Sequence, residues 1–117
     1  MSKLTESSAW RALTAHQAEM QNVQMRDLFA DDPARFERFT LRFADILFDY
    51  SKNRVTQKTM DLLLELARAQ EVEQKIAAMF KGDKINTTED RAVLHIALRN
   101  RSNRPILVDG QDVMPEV

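Results

Sequence analysis

The residues able to do chemistry are few. His16 and His95 are the only histidines, and they lie far apart in the sequence. No His-Glu-x-x-His spacing occurs, and there is no cysteine to complete a metal set. The Asp and Glu residues are scattered, so the sequence assigns no metal ligand. A second candidate is Arg91, His95 and Arg99. Their spacing of four puts them on one face of a helix, with Arg101 and Arg104 just beyond. Guanidinium groups suit phosphate geometry, which gives an anion site as one reading. The commoner reading is a polar edge of a buried helix, paired with acidic neighbours. A third candidate is Asp45, Asp49 and Tyr50. On one regular strand the two carboxylates share a face and could act as an acid–base pair. Solvated polar groups at a strand end are the commoner arrangement.

Those residues need elements to position them, and the chain reads as mostly helical. Trp10, Leu13 and Met20 set a stripe over 8–21, with Ser7 and Ser8 among the capping candidates. A short helix near 24–30 carries Met25, Leu28 and Phe29. Asp32-Pro33 then reads as an N-cap and first helical position. Leu41, Phe43, Ile46, Phe48 and Tyr50 follow a period of two, which predicts one strand over 41–50. The phenylalanines at 29, 36, 39, 43 and 48 are expected in the core.

Thr56 is the expected N-cap of the clearest helix, with Val55 and Met60 as a hydrophobic staple. Met60, Leu63, Leu64 and Ala67 form its stripe, widened by Leu62 and Leu66. A helix over 72–81 places Val72, Ile76, Met79 and Phe80 inward and ends at Gly82 in a left-handed cap. Thr87 to Asp90 resembles a capping box before a helix whose segment 92–98 is apolar nearly all round. Residues 100–105 read as a polar loop, Ile106–Val108 as a short strand and Asp109-Gly110 as a turn. Met114-Pro115-Glu116-Val117 has the form of a first helical turn, and a truncated chain is therefore expected.

Composition narrows the classes. The chain has 117 residues, 44% of them hydrophobic and 30% charged, an ordinary globular mixture able to bury a core. A net charge of -1 argues against a dedicated nucleic-acid binder. The absence of cysteine excludes disulfides and thiolate catalysis. Two glycines leave no room for a Gly-rich phosphate loop within these residues. The polar stretch Met1 to Ser8 has no apolar signal region, and no apolar run is long enough to span a membrane. A cytoplasmic protein with no membrane or nucleic-acid partner is expected.

Four runs carry a family resemblance. They are Asp49-Tyr50-Ser51-Lys52-Asn53, then Met79-Phe80-x-Gly82-x-Lys84-Ile85-Asn86-x-Thr88-Glu89. Arg91-Ala92-Val93-Leu94-His95-x-Ala97-Leu98-Arg99-Asn100-Arg101-Ser102-Asn103 follows. Pro105-Ile106-Leu107-Val108-Asp109-Gly110-x-Asp112-Val113-Met114-Pro115-Glu116-Val117 completes the set. In this order they resemble the N-terminal segment of the glucose-6-phosphate isomerase family. The first forty residues match more loosely, through Ala9-Trp10, Asp27-Leu28-Phe29 and Arg35-Phe36.

The resemblance implies a larger α/β enzyme with two sugar-isomerase domains, of which 1–117 would be a helical, architectural part carrying one or two short strands. It implies a homodimer that interconverts glucose 6-phosphate and fructose 6-phosphate without a cofactor. A His and a Lys would open the ring, a Glu would move the proton through a cis-enediol, and an Arg would stabilise charge. The family's matching motifs lie beyond Val117, so no catalytic, substrate-binding or metal residue is assigned here. The segment alone is expected to be inactive. The alternative from the residues alone is a helical protein-interaction module without catalysis, motivated by the wide apolar faces at 60–67 and 92–98.

Overall fold

The computed structural model describes residues 4–117. Roughly half of them are helical, and two small antiparallel hairpins complete the regular structure. The chain divides into two compact units, the first ending at Ala69 and the second spanning Gln70–Val117.

In the first unit, a short 3-10 turn (Leu4–Glu6) leads into α1 (Ser8–Met20). The Ser7 hydroxyl caps α1 by accepting from the Trp10 N–H at 3.2 Å. Helix α2 (Met25–Asp31) agrees with the sequence reading. Helix α3 (Arg35–Arg38) is a single turn and starts later than Asp32-Pro33 predicts. The Asp32 carboxylate accepts from the Ala34 N–H at 3.2 Å and from Arg38 Nε at 2.8 Å, so it builds the turn before the helix.

The largest departure follows. The single strand expected over 41–50 is a hairpin of β1 (Thr40–Phe43) and β2 (Ile46–Asp49). The register pairs Phe43 with Ile46 and Leu41 with Phe48. The chain reverses at Ala44-Asp45, with Ala44 in the left-handed region at φ 48°. An alanine there gives no turn signal, so the reversal is invisible to turn chemistry. The phenylalanine expectation also fails in part. Phe39 is buried at 2% exposure, but Phe36 is 37%, Phe48 58% and Phe43 79% exposed. A two-stranded ribbon offers nothing to cover its apolar side.

Helix α4 (Gln57–Ala69) packs on α1 within this unit. Thr56 caps it as expected: its hydroxyl accepts from the Thr59 N–H at 3.3 Å, and the Thr59 hydroxyl accepts from the Thr56 N–H at 3.0 Å. Val55 and Met60 are both half-buried.

The second unit holds α5 (Val72–Lys81), the one-turn α6 (His95–Leu98), and the hairpin of β3 (Leu107–Val108) and β4 (Gln111–Asp112). Gly82 closes α5 at φ 81°, in the left-handed conformation the sequence predicts. A side chain there would strike the Leu107 carbonyl, so glycine is needed for space as well. Of the four residues expected to face inward from α5, Met79 is half-buried, but Val72, Ile76 and Phe80 are exposed. Asp109-Gly110 makes the predicted turn, both with positive φ, and β4 is a strand the sequence reading lacks. A final 3-10 turn (Met114–Glu116) agrees with the helical character read there.

The buried side chain that organises the first unit is Arg35, at 2% exposure. Its Nε donates to the Ser51 carbonyl and its Nη2 to the Asn53 carbonyl, both at 2.8 Å. Its guanidinium lies 4.7 Å from the Phe39 ring centre and 5.5 Å from that of Phe29. Replacing Arg35 by Met would keep volume but leave two inward carbonyls unpaired. Arg35→Met is expected to cost about 2–4 kcal/mol, read as a fall in the urea unfolding midpoint. An unchanged midpoint would show that the clamp is dispensable.

Candidate functional site

Three clusters bring chemistry-bearing residues together, and each is built by local sequence logic. The first is the turn Asp49–Asn53, which follows β2. The Asp49 carboxylate accepts from the Ser51 N–H at 2.9 Å, the Ser51 hydroxyl at 2.6 Å and Lys52 Nζ at 2.9 Å. The Ser51 hydroxyl and Lys52 hold the Asp49 carboxyl at about 2, well below the usual carboxylate range. Ser51 is fully buried beneath it, clamped by Arg35. Tyr50 stacks on Phe48 at 5.4 Å between ring centres and meets Phe39 edge-on at 5.6 Å. Asp45 lies in the hairpin reversal, so the pairing of Asp45 with Asp49 along one strand does not exist. Asp49 is committed to its own turn and is not poised as an acid–base partner.

The second cluster is one the sequence reading missed. His16 is 5% exposed on α1. Its Nδ1 lies 2.8 Å from the Glu19 carboxylate and its Nε2 lies 2.7 Å from the Thr59 hydroxyl. Because a carboxylate accepts, Nδ1 carries the proton and Nε2 accepts from Thr59. Lys58 Nζ donates to the same Glu19 oxygen at 2.6 Å, and with His16 it lowers the Glu19 carboxyl. Thr59 Oγ1 joins the cap of α4 to the buried ring on α1, across 43 positions of sequence. A hydroxyl, an imidazole and a carboxylate in line resemble a nucleophile relay. Here the hydroxyl already serves the helix cap, and the adjoining cleft is about 230 Å³, below the range of ordinary ligand pockets. The cluster is a latch between α1 and α4. Only the Thr56 cap signal pointed toward it in the sequence.

The third cluster is the basic stretch of the second unit. The ridge of Arg91, His95 and Arg99 needs a continuous helix, and the structure has none. Residues 87–90 form a turn closed by pairing of Asn86 with Arg91, and helix begins only at His95. Asn86 accepts from the Glu89 N–H at 3.3 Å and donates to its carboxylate at 3.0 Å, displacing the expected Thr87–Asp90 capping box. Arg91, His95 and Arg99 are all exposed, and no single helix carries the three. Arg99 donates to the His95 carbonyl at 3.4 Å. Among the described residues, none of Arg91, His95, Arg99, Arg101 and Arg104 forms a salt bridge, so the paired-edge reading fails as well. The charge that does organise this unit is Lys84, held between Asp109 at 3.1 Å and Asp90 at 3.4 Å. Asp109 above all raises the Lys84 ammonium pKa.

No group of three or more His, Asp or Glu among the described residues could hold a metal ion. No helix among them is long and apolar enough to cross a membrane.

The Asp49 turn gives a pH prediction. A carboxyl held near 2 when folded and near 4 when unfolded adds stability above about pH 4. That stability is lost as pH falls from about 4 toward 2. Asp49→Asn is expected to flatten the urea midpoint across this window; an unaltered acid slope would remove Asp49 as its source. At the latch, Thr59→Val leaves the buried His16 nitrogen unpaired. It is expected to lower stability by about 1–3 kcal/mol in the same assay, and a neutral result would show that water replaces the hydroxyl.

Comparison with known proteins bears on the clusters together. Residues 49–117, starting at the Arg35-clamped turn, match the family described as phosphoglucose isomerase. The whole chain is 57% identical to glucose-6-phosphate isomerase of Methylococcus capsulatus. It is 59% identical to glucose-6-phosphate isomerase 1 of Chromobacterium violaceum. Each match covers 100% of this chain and 21% of the relative, so the chain spans about a fifth of their length. With the family match running through both units, the chain belongs to the phosphoglucose isomerase family.

Proposed function

We propose that residues 1–117 act as the N-terminal, architectural part of a glucose-6-phosphate isomerase. That enzyme is an aldose–ketose isomerase of larger α/β build. It interconverts glucose 6-phosphate and fructose 6-phosphate without a cofactor, as a cytoplasmic homodimer. The observation that carries the reading is identity along all of this chain to relatives nearly five times as long.

The chemistry supports placing catalysis outside this segment. Moving a proton between C2 and C1 needs a base within hydrogen-bond reach of a bound sugar, and an acid to receive and return protons. The polar groups with the most partners here are committed elsewhere. His16 joins two helices, Asp49 ties its own turn, and Lys84 bridges two aspartates. Their work is to hold elements in place, which fits an architectural segment.

The test is an isomerase assay from fructose 6-phosphate with two proteins. One is the 117-residue chain; the other is the same chain joined at Val117 to the remaining four-fifths of the Methylococcus capsulatus relative. The chain alone is expected to give no turnover above buffer, and the fusion to be active. Turnover by the purified chain alone would overturn the architectural reading. A folded but inactive fusion would overturn the assignment to this enzyme.

A further inference from the structure

The β1–β2 hairpin has one face made wholly of apolar side chains. The register places Leu41 opposite Phe48 and Phe43 opposite Ile46, and alternation along each strand puts all four on one side. Their exposures are 60%, 58%, 79% and 65%. The other face carries Thr40, Arg42, Leu47 and Asp49. A contiguous apolar patch on one side of a ribbon, where the other side is polar apart from Leu47, marks an interaction surface.

From this we infer that the Leu41, Phe43, Ile46 and Phe48 face is the surface on which this segment docks against the rest of the family polypeptide, beyond residues 1–117. The inference rests on the proposed function and names the partner of this surface. Two observations select that occupant. The relatives carry roughly four times more chain than this segment, in one polypeptide. The apolar ladder also runs through the Phe48–Tyr50 stack into Asp49–Asn53, where the family match begins. A second copy of the chain is a poorer occupant. A patch of four side chains is far smaller than the roughly 20–30 residues a side of a stable dimer interface. The occupant's chemistry follows from the face: an apolar surface without charge at its centre, since no side chain of the ladder could pair with one.

The test is hydroxyl-radical footprinting, read residue by residue, on the 117-residue chain and on the fusion described above. Labelling of Phe43, Ile46 and Phe48 is expected to fall at least about fivefold in the fusion, as their exposure drops to that of core residues. Unchanged labelling in the fusion overturns the inference, whether or not the fusion is active. Protection already present in the isolated chain, and rising with its concentration, assigns the face to a second copy and overturns it too. Phe43→Asp gives an independent readout. It is expected to leave the urea midpoint of the isolated chain in place and to lower the melting temperature of the fusion. Equal effects in both proteins would count against the docking surface. Isomerase activity of the fusion is scored separately, so a protected face in an inactive fusion sinks the enzyme assignment and leaves the docking surface standing.

Discussion

The guanidinium of Arg35 is the constraint on which the first unit depends. It is a buried cation whose two hydrogen bonds go to backbone carbonyls, with the faces of Phe29 and Phe39 lying against it. A planar fork of donors can satisfy two carbonyls at once, which an ammonium on a flexible stem would do less well. The two carbonyls belong to Ser51 and Asn53, so the clamp sets the path of the chain between β2 and α4. It also seats the one-turn α3, too short to persist on its own hydrogen bonds. Phe39 also lies against the clamp, and its carbonyl accepts from the Tyr50 N–H at 2.9 Å, continuing the ladder of the hairpin.

From this clamp the remaining order of the unit follows in steps. With the Ser51–Asn53 backbone held, Asp49 can close its turn and Thr56 can begin α4. The Thr56–Thr59 cap then offers a hydroxyl to His16, which ties α4 to α1. Polar side chains therefore carry much of the specification, because the fully buried apolar residues among those described are Ala9, Phe39 and Ala97. Much of the hydrophobic content that composition assigns to a core lies on surfaces instead: the hairpin face, and Val72, Ile76 and Phe80 on α5. Architecture and proposed role agree on this point, since such surfaces gain stability only when something covers them.

The candidate sites read from spacing fared worse than the elements. Arg91, His95 and Arg99 form a ridge only if 90–99 is one helix. Asn86 instead ties the chain into a turn, and only His95–Leu98 of the apolar segment is helical. Asp45 and Asp49 form a pair only if 41–50 is one strand, and Ala44 adopts a left-handed conformation that its type does not advertise. The latch of His16 and Thr59 joins positions 43 apart, a distance over which local pattern carries no information.

Local punctuation and family were legible in the order of residues alone. Ser7 and Thr56 start helices because their hydroxyls satisfy amide donors within three residues. Gly82 and Asp109-Gly110 reverse the chain because their backbones accept positive φ. The ordered runs from Asp49 onward carried the resemblance that the family match confirms. What is buried, and against what, follows only from packing in three dimensions. Whether a phenylalanine is core or surface depends on which element faces it, and that is a long-range outcome. The same holds for Arg35: nothing in its neighbours in sequence says that a charged side chain will be buried. Only the arrival of the Ser51 and Asn53 carbonyls and two aromatic rings offsets the cost of removing that charge from water.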